Sequence, residues 1–177
     1  MKVTVINECG FKESILGFSL SYNTSLERSE SLLPKYAFGI PGENKFLESI
    51  VIWVDVNAPL FFWTEFDTYR VGITKQSEST MHTLKKSKLT NENFENTISE
   101  PFLHHLNNLI DLDASVDYIK SMLPSGFLQR RIVSMNYKCL QNIYNQRHNH
   151  RLPQWLYFCT EMLHNIEHPE FIVNKKP

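Results

Sequence analysis

Residues 123–147 read LPSGFLQRRIVSMNYKCLQNIYNQR, and this stretch decides the fold class. Leu123-Pro124 ends whatever helix precedes it, because a residue before proline is pushed out of the helical region. Phe127 to Asn136 then reads as a strand that sends Ile132 and Met135 toward the core. At Tyr137 the period changes. Leu140, Ile143, Tyr144 and Arg147 recur at helical spacing, while Lys138, Asn142 and Asn145 share the opposite, polar side. A strand thus feeds directly into an amphipathic helix.

The same alternation extends outward. After Pro153, a stripe of Trp155, Phe158, Cys159, Met162 and Leu163 predicts a further helix ending at about His164. Upstream, FLESIVIWVDVNAP from Phe46 to Pro59 is rich in β-branched and aromatic residues and predicts a buried strand, with Ile50, Ile52, Val54 and Val56 on one face. Pro59 suits the start of a helix, since its missing N–H would have no intrahelical partner, and Leu60 to Tyr69 follows at helical spacing. Two short helices are expected around Phe102–Ile110 and Val116–Leu123, a short strand at Lys2–Ile6, and a helix over Phe11–Tyr22. Asn23 to Asn44, Ser-rich with Pro34 and a Pro41-Gly42 pair, reads as loop. The polar run from Gly72 to Glu100 reads as an exposed, flexible segment within a single domain spanning 1–177.

With 177 residues, 42% hydrophobic and 21% charged, the chain can bury a sizeable core and is not of disordered composition. Lys and Arg number 18 against 19 acidic residues, so no overall field draws the protein to a long nucleic acid, and any anion site must be local. Three scattered cysteines without metal-ligand spacing read as free thiols, no apolar run reaches membrane-spanning length, and a cytoplasmic protein is expected.

Phosphate loops of the GxGxxG and GxxxxGK[ST] types are absent. His148 and His150 flank a potential zinc position, but no HExxH or Cys/His array supports a metal, and a solvated helix end is the plainer reading. Arg130, Arg131, Arg147 and Arg151, with Lys120 and Lys138, concentrate positive charge between residues 120 and 151. Guanidinium groups bind phosphate bidentately and read planar carbonyls, so the cluster suits a small phosphorylated ligand; ordinary surface charge at helix ends is the alternative. Asn136 and Asn142 offer amide edges to a nucleobase or flavin ring, or serve as turn and cap residues.

Taken together, Leu123-Pro124, Asn136, Lys138, Leu140, Asn142 and Arg147 resemble the flavin-dependent thymidylate synthases, whose carboxyl half reads LP, a strand, then N-x-R-S-L-x-N-F-L-x-x-R. Lys138 replaces the family's arginine. Ser21-Tyr22 matches an early V-S-Y, and residues 47–70 resemble the family's F-E-H, strand, A-P turn and helix leading to its RHR motif. The resemblance implies an α/β fold with a mixed sheet and flanking helices, normally assembled as a homotetramer. It also implies roles. Arg147 would contact the uracil of dUMP as the catalytic, charge-stabilising arginine, and Lys120 would hold the nucleotide phosphate. Glu65, in place of a nucleotide-contacting glutamine, together with Gln76 and Ser77, completes the implied nucleotide set. Arg70, Asn136, Lys138 and Asn142 resemble the flavin-contacting positions, with FAD the implied cofactor.

The signature RHRxxSxNExS, however, stands here as TYRVGITKQSE, residues 68–78, in which only Arg70 survives. Ser49 replaces a histidine that lies near the flavin, and Thr80 replaces a second phosphate-binding arginine. Two functions follow from the resemblance: a nucleotide-binding protein that is catalytically silent or chemically altered, or an active flavin-dependent methyltransferase that converts dUMP to dTMP with methylenetetrahydrofolate and reduced FAD. The ruined signature favours the first.

Overall fold

Four alternate residues, Ile50, Ile52, Val54 and Val56, are completely buried, and they set the central strand β2 (Val51–Pro59). A computed structural model describes residues 1–39 and 42–174, so Pro41 of the expected Pro41-Gly42 turn lies outside the described residues. The other strands are β1 (Lys2–Cys9), β3 (Ile73–Ser77) and β4 (Leu128–Asn136), and the sheet order is β1-β2-β4-β3. The helices are α1 (Phe11–Tyr22), α2 (Leu26–Tyr36), α3 (Leu60–Phe66), α4 (Thr80–Thr83), α5 (Glu100–Asp111), α6 (Val116–Met122), α7 (Tyr137–Arg147) and α8 (Pro153–Asn165). The α/β class expected from the sequence is the observed one. No helix among the described residues is long and apolar enough to cross a membrane.

The chain divides into two compact units. The first comprises Met1–Lys2, Val56–Tyr69 and Gln76–Ile132; the second takes Val3–Asp55, Arg70–Lys75 and the residues from Val133 onward.

In the first unit, Leu84, Leu89, Phe94, Leu106, Ile119 and Phe127 form one apolar cluster, with Phe94 and Phe127 packed edge to face at 5.7 Å. The polar segment 72–100 is therefore largely folded, not a loop: it contributes three of these residues, spaced five apart, and the strand β3. That spacing matches neither the helical nor the strand period, which is why the sequence pattern hides it. The Asn107 side chain accepts from Leu89 N at 2.8 Å and donates to Leu89 O at 2.9 Å, tying the segment to α5. β3 lies at the sheet edge, and its Lys75 is the residue type that protects an edge from further pairing.

In the second unit, Ser25 caps α2 by accepting from Arg28 N, so the Ser-rich stretch expected as loop is helical; Pro34 lies inside that helix, at the loss of one intrahelical hydrogen bond. Phe46 to Ser49, expected at the start of the strand, instead belong to a 3-10 turn over Lys45–Glu48 and its cap. In β4 the fully buried side chains are Val133 and Met135, while Ile132 is half-buried. Gln141 of α7 is buried and donates to both Ala37 O, at 3.0 Å, and Phe171 O, at 2.8 Å, joining three segments through one amide. Gly10 starts α1 with φ +93°, and a Cβ there would lie 2.1 Å from Ser49 O, so only glycine fits.

Candidate functional site

The strand-to-helix junction at β4–α7 is built by Asn136. Its side-chain oxygen accepts from Cys139 N at 2.9 Å and caps α7, satisfying a donor that the first helical turn leaves without a partner. The Val71-Gly72 backbone meets the same turn: the Cys139 thiol donates to Val71 O at 3.3 Å, and a Cβ on Gly72, whose φ is +69°, would approach Cys139 Sγ to 2.8 Å. The chain following Arg70 is thus brought onto the start of α7, beside Asn136 and the half-buried Lys138. Asn142 is exposed one turn further on, where its side-chain oxygen accepts from Gln146 Nε2 at 3.0 Å.

Arg147 ends α7. Its guanidinium lies 4.7 Å from the centre of the Trp155 ring, a cation over an aromatic face, and Nη1 meets His150 Nε2 at 2.9 Å. Trp155 is completely buried, so the stacking surface is fixed by the core. Pro153 starts α8, and residues 148–152 carry His150 back beside Arg147. The sequence offered no direct sign of this clamp, because Arg147, His150 and Trp155 lie on opposite sides of a helix break.

Of the expected site residues, Arg70, Asn136, Lys138, Asn142 and Arg147 belong to the second unit, whereas Glu65, Gln76, Ser77 and Lys120 belong to the first. Glu65 is half-buried on α3, Gln76 and Ser77 are exposed at the end of β3, and Lys120 is exposed in the last turn of α6. Arg131, grouped by sequence with the anion-binding cations, is committed elsewhere. Its Nη1 donates to both Asp67 oxygens at 3.0 and 3.1 Å, and its guanidinium sits 4.3 Å from the Trp63 ring centre.

The second unit also holds a cavity of about 680 Å³ between α1 and residues 42–49. Ser21 and Tyr22 line it with Ser49, which stands where the resemblance has a histidine near the flavin, but so do Glu13, Glu43 and Glu48, with Lys45 as the one cation among the described residues. Sequence reading missed these carboxylates as a group, since they come from separate elements; the available signal was Gly17, an unfavourable residue in the middle of a predicted helix.

Burial pushes the Cys159 thiol up to about 12 and raises Cys139 as well, so neither is an activated nucleophile. Among the described residues, no group of three or more His, Cys, Asp or Glu side chains is arranged to hold a metal ion.

No family model and no curated protein matches the sequence. Solved structures do. The flavin-dependent thymidylate synthase ThyX from Helicobacter pylori, in complex with FAD and dUMP, matches with a TM-score of 0.81 at 15% identity, covering 97% of this chain and 98% of that one. A second structure of the Helicobacter pylori enzyme with FAD and dUMP matches with a TM-score of 0.81 at 14% identity, covering 98% of each chain. At these identities the likeness is one of fold, and the fold of this chain is that of the flavin-dependent thymidylate synthase ThyX.

Proposed function

We propose that this protein binds a uridine-type nucleotide through Arg147, on a thymidylate-synthase fold whose flavin-handling signature has been replaced. The observation that carries the reading is the orientation of Arg147, stacked at 4.7 Å on a buried indole and held at Nη1 by His150. A guanidinium carries its donors in a planar fork suited to planar carbonyls and to an anionic ring oxygen. The resemblance gives the same residue the uracil contact. The resemblance assigns the nucleotide phosphate to Lys120 and further nucleotide contacts to Glu65, Gln76 and Ser77, all of the first unit.

FAD, when bound, would supply the hydride chemistry of the active-synthase alternative. The residues fit it poorly. Asn136 uses its side-chain oxygen on Cys139 N, and Asn142 uses its own on Gln146. Thr68 and Tyr69, in place of an arginine and a histidine, serve the end of α3: the Thr68 hydroxyl donates to Glu65 O at 2.7 Å, and Tyr69 packs edge-on to Phe66. Among the described residues, the cavity that contains Ser49 carries three carboxylates against one lysine. A dinucleotide diphosphate needs paired cations and would meet repulsion there. The reading is therefore of a nucleotide-binding protein that does not run flavin chemistry.

Native mass spectrometry of the purified protein, before and after addition of dUMP, tests this. Protein free of flavin that gains one dUMP mass per subunit is expected. Co-purified FAD would overturn the reading and point to the active synthase.

A further inference from the structure

The cavity between α1 and residues 42–49 lacks Arg147 and Lys120 among its lining residues, so it stands apart from the proposed nucleotide contacts. We infer that it binds an organic ammonium ion, an amine whose charge sits on a body large enough to lie along an aromatic wall.

Space is the first argument. A volume of about 680 Å³ falls in the range of small-molecule sites. Gly17 keeps it open: it occupies the middle of α1, and a Cβ built there meets nothing within 4 Å. Glycine costs stability in a helix interior, and here it leaves the cavity mouth without a side chain.

The wall is aromatic. Phe18 and Tyr22 stack with ring centres 4.5 Å apart, Phe46 meets Phe18 edge to face at 5.8 Å, and Tyr22 remains 38% exposed. Ring faces attract cations, most strongly where water is partly excluded.

Charge then selects the class of ligand. Glu13, Glu43 and Glu48 outnumber Lys45 around the cavity. Burial, and then the same Glu43, raise the Tyr22 phenol above its ordinary value. A phosphate would be repelled. A bare metal ion is also disfavoured, since the carboxylates do not converge into a ligand group among the described residues. A bulky ammonium satisfies both features: carboxylates neutralise its charge, and the rings cover its apolar body.

The test uses benzyltrimethylammonium as probe, titrated into the full chain by calorimetry at constant ionic strength, with benzyl alcohol as the neutral counterpart. Saturable binding of the cation alone is expected. The double variant Glu43→Gln with Glu48→Gln should weaken it by about tenfold or more. Gly17→Leu, which fills the cradle from a position with open space, should abolish it while circular dichroism stays unchanged. Arg147→Ala should leave it unaltered, which separates this site from the nucleotide reading. Absence of saturable binding, equal binding of benzyl alcohol, displacement of the probe by FAD, or full retention in the folded Gly17→Leu variant would each overturn the inference. Should Gly17→Leu not fold, the Glu-to-Gln pair decides alone.

Discussion

Arg147 lies over the face of Trp155, 4.7 Å from the ring centre, and the two residues close the ends of α7 and α8 against each other. His150, between them in sequence, meets the same guanidinium at 2.9 Å. The arginine is therefore positioned before any ligand arrives, and a positioned donor loses less entropy on binding than a mobile one. His150→Ala should weaken dUMP binding by about threefold to tenfold in calorimetry while leaving the far-UV spectrum unchanged. Arg147→Lys should not rescue binding, because an ammonium has neither the plane that stacks nor the fork.

Two glycines predict opposite outcomes. Gly10→Ala places a methyl 2.1 Å from a backbone oxygen at φ +93° and should destabilise the protein by about 2 kcal/mol or more in urea unfolding. Gly17→Ala, in open space on a helix, should stabilise it by about 0.5–1 kcal/mol.

The carboxyl-terminal segment is pinned by Tyr137. Its hydroxyl donates to Glu8 and accepts from His168 N at 3.1 Å, while Glu8 also accepts from Glu167 N at 3.0 Å. Tyr137→Phe removes the shared hydroxyl from a partly buried network and should cost about 1 kcal/mol. Amide exchange should accelerate first at His168, whose N–H loses its acceptor.

Cys159 carries a pH prediction. Burial raises its thiol from 9.0 to about 12, so the folded state holds the proton more tightly than the unfolded chain does. The associated stability is complete below about pH 9 and is lost progressively toward pH 12, as the unfolded state alone ionises. Wild-type unfolding midpoints should fall through this window more steeply than those of Cys159→Ala, and the two curves should converge as pH rises.

Much of this was legible in the sequence where burial follows a period. β2 alternates and is buried as its pattern says, and α7 and α8 have the boundaries that their stripes and prolines mark. The sequence fails where anchors are sparse. Leu84, Leu89 and Phe94 fold a polar segment without any periodic signal, and the serines of α2 mark a cap where composition alone suggests a loop. The same limit applies to sites. Asn136 could be read as a ligand contact or a cap, and in the structure it caps α7; Arg131 looked like one more phosphate cation until Asp67 and Trp63 accounted for it. Neither the clamp on Arg147 nor the carboxylates around the α1 cavity share a local pattern, so only the fold could assemble them.

The most direct test of the nucleotide reading is a calorimetric titration of dUMP into the wild-type protein and into Arg147→Ala, with thermal unfolding run on both. The account predicts saturable binding to the wild type, its loss in the variant, and a fall in unadorned stability of only about 1 kcal/mol from the missing stacking contact. Equal dUMP affinity in the two proteins, or no binding to the wild type, would contradict it.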